Sequence, residues 1–186
     1  RQNEDIVVPS FEPVKSKQDY VGVSRSAIPA NGELPVTAAC PKLSRVYRVS
    51  PTMVEADMNA VITALYQQVF VLFGNEIPPS FRRPELEEMF VKGHITVKDF
   101  VQQLASSHTY RQRFCTAFPS AKIVDLLFRH LLGRSVSSSL ESEPYEVMLL
   151  EEGLAVVVNA LVNSPEYGRY FGDDVVPYNR SLVIDS

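Results

Sequence analysis

The chain has 186 residues, 45% of them hydrophobic and 22% charged, with a net charge of −4, values that exclude wholesale disorder, collagen and coiled coil. At this length roughly 70% of the unfolded surface can be buried, enough for one domain or for a domain with a tail. No uninterrupted apolar run approaches the roughly 18 residues that a membrane span needs, and Cys40 and Cys115, far apart and without CxxC spacing, argue against a disulfide scaffold or zinc site and for a reducing compartment.

Residues 1–46 hold five of the thirteen prolines and no sustained helical repeat of apolar residues, so they read as an extended arm. Its isolated aromatics, Phe11 and Tyr20, are candidate anchors on the chain's own domain or on another protein. The sequence opens at Arg1 without a charged-then-apolar leader, so any targeting peptide is expected to have been removed or to lie outside it. From Ser50 the pattern turns helical. Thr52 and Glu55 suggest a capping box, Val54, Met58, Val61, Ile62, Leu65, Val69 and Leu72 fall on one face, and Gly74 is the expected stop.

A shorter helix is predicted over Pro84–Val91, stopped by Gly93, and another from Thr96, with Asp99 three positions on and Val97, Phe100, Val101 and Leu104 inward. Ser106 and Ser107 break it. The next helix carries Tyr110, Phe114 and Cys115 inward, turns Arg111 and Arg113 elsewhere, and ends near Pro119. Residues 121–132 are apolar on more than one face and predict a central helix ended by Gly133. After the serine-rich loop 135–139, Ser142 and Pro144 are expected to open a helix through Leu150. Gly153 interrupts it, Leu154–Val162 forms another, and Ser164-Pro165-Glu166 begins a short last one. No strand alternation competes, so the expected fold class is all-α, a compact bundle of six or seven helices over residues 47–180, with 181–186 as a tail.

Catalytic signatures are lacking. His94, His108 and His130 show no metal-ligand spacing, and the eight glycines form neither GxGxxG nor GxxxxGK[ST]. His108 and Cys115 share a helix face, but two turns separate them by about 10 Å, too far for a nucleophile and its base. The adjacent acids Glu87/Glu88 and Glu151/Glu152 diverge by about 100° on a helix and cannot converge on one substrate. The reading is therefore non-enzymatic, with no metal site and no nucleotide site. Charge is segregated: residues 77–134 carry +4, residues 141–186 carry −7. That pattern suits oriented docking as well as it suits differently solvated helix faces. Nucleic acid is a poor partner, because the pI is about 5.4 and Glu85, Glu87 and Glu88 interrupt the basic stretch.

Four blocks carry a resemblance: ALYQQVF at Ala64–Phe70, GHITVKDFVQQLASSHTYRQRF at Gly93–Phe114, VDLLFRHLLGR at Val124–Arg134, and ALVNSPEYGRYFGDDVVPYNR at Ala160–Arg180. In order and spacing, residues 46–180 resemble a phycobilisome linker domain, an all-α family. The resemblance implies a linker in the central cavity of phycobiliprotein trimers and hexamers, joining them as rod, rod-core or core pieces of the phycobilisome and tuning bilin energies. Its implied partners are phycocyanin, allophycocyanin or phycoerythrin and other linkers. Its implied place is the stromal or cytoplasmic side of the thylakoid membrane, in a plastid or a cyanobacterium. Neither cysteine sits in an evident bilin-attachment motif, so no covalently bound cofactor is expected, only the partners' bilins nearby.

On that picture the candidate partner-binding cations are Arg82, Arg83, Lys92, Lys98, Arg111, Arg113, Arg129 and Arg134, suited to acidic phycobiliprotein surfaces. The last four arginines are equally suited to internal ion pairs. Tyr110, Phe118, Tyr167, Tyr170, Phe171 and Tyr178 are candidates to meet bilins or partner loops, against the alternative that they cap the core. The chain's acidity, concentrated from Glu141 to Asp174, departs from the basic character usual in the family. A helical protein–protein adaptor unrelated to light harvesting is the alternative function.

Overall fold

The computed structural model describes residues 46–180; the arm expected over 1–46, save Val46, and the tail 181–186 lie outside the described residues. Eight α-helices follow one another among the described residues: α1 (Glu55–Phe70), α2 (Pro84–Val91), α3 (Val97–Ala105), α4 (His108–Tyr110), α5 (Ser120–Leu127), α6 (Ser139–Glu151), α7 (Leu154–Val162) and α8 (Pro165–Tyr170). The all-α class is as expected, with one or two helices more than the pattern suggested. Two π-helical turns extend the series. Arg111–Cys115 continues α4 and Phe128–Leu132 continues α5.

The core forms where apolar spacing meets capping. Along α1, Val61, Ile62, Leu65, Tyr66 and Val69 are buried at three- and four-residue intervals, the stripe that a helix needs to face a neighbour. Val54, expected on that face, is 62% exposed, because it sits at the N-cap and precedes the first turn. The Thr52/Glu55 capping box does not form: Thr52 pairs with Ser50 instead. At the other end the helix stops at Phe70, before Gly74, on a left-handed Val71 with φ 53° and ψ 56°. A β-branched residue in that region is uncommon and strained.

Thr96 opens α3 as expected and makes a capping box with Asp99, its hydroxyl accepting from the Asp99 N–H at 3.1 Å while Asp99 Oδ2 accepts from the Thr96 N–H at 2.9 Å. Ser107 then caps α4, accepting from the Tyr110 N–H at 3.1 Å, so the serine pair ends one helix and starts the next. Helix α6 begins three residues ahead of the expected opening at Ser142, capped by Ser138, which leaves Pro144 inside the helix. Pro144 offers no N–H to the carbonyl four residues earlier.

Helix α7, with Leu154, Val157, Val158, Leu161 and Val162 buried, packs against α3, α6 and the second π turn, while α1 packs against α3 and the same turn. The last described segment runs back over the bundle. Val49 N–H donates to Asp174 O at 2.8 Å, Val176 N–H to Tyr47 O at 3.0 Å, Val97 N–H to Asp173 O at 3.0 Å and Arg180 N–H to Gly133 O at 3.0 Å. Gly133 is required there: its φ is 69°, and a Cβ would lie 1.9 Å from Tyr178 O. No described helix is long and apolar enough to cross a membrane.

Candidate partner-binding surfaces

The expected cations separate into surface groups and one structural clamp. Arg134 is the clamp. Its Nε and Nη2 donate to the two oxygens of Glu166 at 2.7 and 2.8 Å, and its Nη1 and Nη2 donate to the two oxygens of Glu141 at 3.0 and 2.6 Å. Arg180 reaches Glu166 as well, and the Arg134 guanidinium lies 5.1 Å from the Phe128 ring centroid. Paired forks of this kind are the strongest ion pairs that side chains make. The hydrogen bonds from Arg134 hold Glu141 down at about 2 and depress Glu166 too. With three-quarters of its side chain covered, Arg134 binds the bundle together and offers no free charge to a partner.

The remaining candidates stand on the surface to different degrees. Arg82 is half exposed and donates to Glu87 at 3.2 Å; Glu87 also accepts from Tyr66 Oη at 2.9 Å, and Tyr66 Oη accepts from the Arg83 N–H at 2.7 Å. This relay moors the start of α2 on α1 and leaves the Arg83 side chain exposed. Lys92 pairs with Glu88 one turn earlier on the exposed surface, where such pairs contribute little, while the exposed Arg129 pairs at 2.9 Å with Asp125, whose side chain is mostly covered. Arg111 and Arg113 are exposed as expected. Arg113 lies over the Phe81 and Phe114 rings at 5.3 and 5.5 Å. Lys98 is half-buried on α3.

Among the aromatics, burial decides three for the core-capping alternative. Tyr110 and Tyr167 are 0% exposed and Phe171 3%, so none reaches a partner; each fills the core. Tyr110 Oη lies 2.8 Å from His130 Nδ1, and its ring meets Phe70 and Phe114. Burial pushes the Tyr110 hydroxyl upward and pulls His130 down to about 4. Tyr167 packs edge-on to Phe171, which packs edge-on to the half-buried Tyr178. Phe118 and Tyr170 are 43% exposed, and Tyr170 carries the Arg180 guanidinium 3.9 Å from its centroid. Phe11 and Tyr20 lie outside the described residues.

Sequence reading missed the most exposed apolar side chains: Leu140 at 82%, Phe73 at 78% and Leu150 at 75%. Leu140 carried a signal, since the two residues before it are serines suited to capping; Phe73 had only its place after the helical repeat. Among the described residues no group of His, Cys, Asp and Glu could hold a metal ion. Cys115 is partly buried and its thiol is pushed up by desolvation, the reverse of what a nucleophile needs.

The sequence model of the Phycobilisome Linker polypeptide family matches residues 53–180. Among curated proteins, the chain is similar to the phycobiliprotein ApcE of Microchaete diplosiphon, 44% identical over 192 residues, covering 97% of this chain and 18% of that protein. The ApcE proteins of Nostoc sp. (38% identical, 97% and 19% covered) and Galdieria sulphuraria (37%, 73% and 16% covered) are similar too. The chain therefore spans less than a fifth of the length of these relatives. With more than half of its residues inside the family match, and with the helical bundle the resemblance implied, the chain belongs to the phycobilisome linker polypeptide family.

Proposed function

We propose that the helical domain enters the central cavity of a phycobiliprotein trimer or hexamer, joins such discs within the rod or core of a phycobilisome, and tunes their bilins. The carrying observation is the family match over residues 53–180; the concentration of exposed cations between Arg82 and Arg129 supports it. Arg83, Arg111 and Arg113 face solvent, ready for carboxylates on a partner; Lys92 can exchange its weak surface pair for such a contact, and the exposed guanidinium sides of Arg82 and Arg129 can add one. Lys98 extends the same basic region, with Phe118, Tyr170 and Tyr178 as the accessible or partly accessible aromatics.

The physical logic of tuning needs no chemistry on this chain. A protein filling the ring removes water near the chromophores, lowers the dielectric and fixes charges beside them, which shifts excited-state energies and gives energy transfer a direction. The chain acts without catalysis and without a covalently attached bilin. The 1–46 segment acts as an arm binding outside the ring that holds the helical domain. The assembly stands at the thylakoid, on its stromal or cytoplasmic side.

Sedimentation of the purified chain with allophycocyanin, phycocyanin and phycoerythrin trimers in turn, with absorbance and emission recorded across each boundary, tests this. A larger particle with red-shifted emission is expected with one of the three. A folded chain that leaves all three unchanged points instead to a helical protein–protein adaptor unrelated to light harvesting.

A further inference from the structure

The solvent face of α6 presents exposed apolar side chains with unpaired acids set among and beside them. Leu140, Pro144 and Val147 follow one another at four- and three-residue spacing, with Leu150 one turn on, so they form a stripe about 15 Å long. Leu140 is 82%, Val147 47% and Leu150 75% exposed. At Leu150 it runs into an open depression of about 390 Å³ lined by Phe118, Leu149 and Leu154 among others.

Helix α6 carries four acidic residues and no basic one, and it sorts them. The inward pair is engaged: Glu141 by Arg134, and Glu146 by the Ser142 and Ser120 hydroxyls at 2.8 and 3.3 Å. The outward acids Glu143 and Glu151, with Glu152 at the C-cap, are exposed and enter no ion pair among the described residues. Arg111 lies on the rim of the depression.

We propose that this face docks a basic amphipathic helix of a partner protein, its apolar side on Leu140, Val147 and Leu150 and its lysines or arginines on Glu143, Glu151 and Glu152. Charge decides the occupant. A second copy seated through the same face sets these carboxylates against their own images, and an acidic protein surface or an anionic membrane meets the same repulsion. A basic amphipathic helix satisfies both the apolar side chains and the carboxylates set among and beside them, the helix-on-groove mode in which residues at i, i+3, i+4 and i+7 anchor the contact. The inference goes beyond the ring reading, which uses the basic region of the chain, and does not rest on it.

The test uses the full 186-residue chain, isotopically labelled, and two amidated helical peptides of about 14 residues, long enough to span the stripe: one of leucine and lysine with leucines at helical spacing, the other with glutamate in place of lysine. The lysine peptide is expected to shift amide resonances within 139–154, with affinity falling as salt rises. The variants L140S/L150S and E143Q/E151Q/E152Q are each expected to weaken it by about tenfold or more, with unchanged melting temperatures because every altered side chain is exposed. Binding that maps elsewhere, equal binding of the glutamate peptide, or wild-type affinity in both folded variants overturns the proposal. So does a dimer of the chain alone that L140S/L150S abolishes.

Discussion

Removing the Arg134 guanidinium tests whether the clamp between α5, α6 and α8 stabilises the bundle. In Arg134→Met an apolar side chain takes the place of the guanidinium, and Glu141 and Glu166 lose four charge-assisted hydrogen bonds between 2.6 and 3.0 Å. Each such bond contributes about 1.5–3 kcal/mol when buried. Both glutamates keep about a quarter of their side-chain surface in water, and Arg180 still holds Glu166, so the expected loss is discounted to about 2–4 kcal/mol. That corresponds to roughly 8–15 °C in melting temperature for a domain of this size. Urea unfolding followed by helical circular dichroism gives the value at pH 7. The pH dependence supplies a second reading. Glu141 is held at about 2 against an ordinary 4.5, and Glu166 is depressed in the same direction. A depressed carboxyl contributes stability that is complete above its unfolded pKa and lost as pH falls toward the folded one. The gap between wild type and variant is therefore expected to be full above pH ~5 and to close between pH ~5 and ~2. A loss under about 1 kcal/mol at pH 7, or a gap unchanged down to pH ~2, would refute the reasoning.

Four other substitutions follow from single features. Gly133→Ala forces a Cβ to within 1.9 Å of Tyr178 O at a left-handed backbone; it is expected to cost about 2 kcal/mol or more and to speed amide exchange at Arg180, whose N–H bonds Gly133 O. Unfolding equilibria and exchange by mass spectrometry check both effects. His130 is buried neutral with a pKa near 4, so the unfolded chain binds the extra proton between pH 6.5 and 4. Wild-type stability is expected to fall across that window as pH drops, while His130→Phe, cleared of this proton, stays flatter; Tyr110→Phe, which strips Nδ1 of its partner, is expected to cost about 1–3 kcal/mol at pH 7 by urea unfolding. Val71→Asn relieves a β-branched residue at φ 53° and is expected to raise stability by about 1 kcal/mol, read from the urea midpoint; a lower midpoint would count against strain at that position.

Local chemistry was legible in the sequence, and chemistry across distance was not. Thr96 with Asp99, Gly153 between two helices, and Ser164 ahead of Pro165 each act within one turn, so adjacent letters contain the whole interaction. Thr52 and Glu55 have the same spacing as Thr96 and Asp99, yet no box forms, since Ser50 takes the threonine hydroxyl. The π turns leave no mark on a 3.6-residue period. They bring Phe128, His130, Leu131 and Leu132 inward, and neighbours on three sides make that possible. Arg134 meets Glu166 across 32 positions, and nothing near either residue distinguishes it from a surface charge. Tyr110 reads inward from its helical position, but the partner that lets its hydroxyl be buried does not show locally: His130, twenty positions on, lies 2.8 Å from it.

The antiparallel bridge between Arg48 and Val175, with the bonds from Val49 to Asp174 and from Val176 to Tyr47, brings the two ends of the helical series side by side. Such a fold can be permuted. A short linker joining the two ends, with a fresh opening between Pro78 and Pro79 in the exposed connection after α1, leaves every helix and every clamp residue in its place. The same adjacency means that a polypeptide can leave this bundle next to where it entered, so the bundle can be inserted into a host chain as a side loop without altering the path of the host.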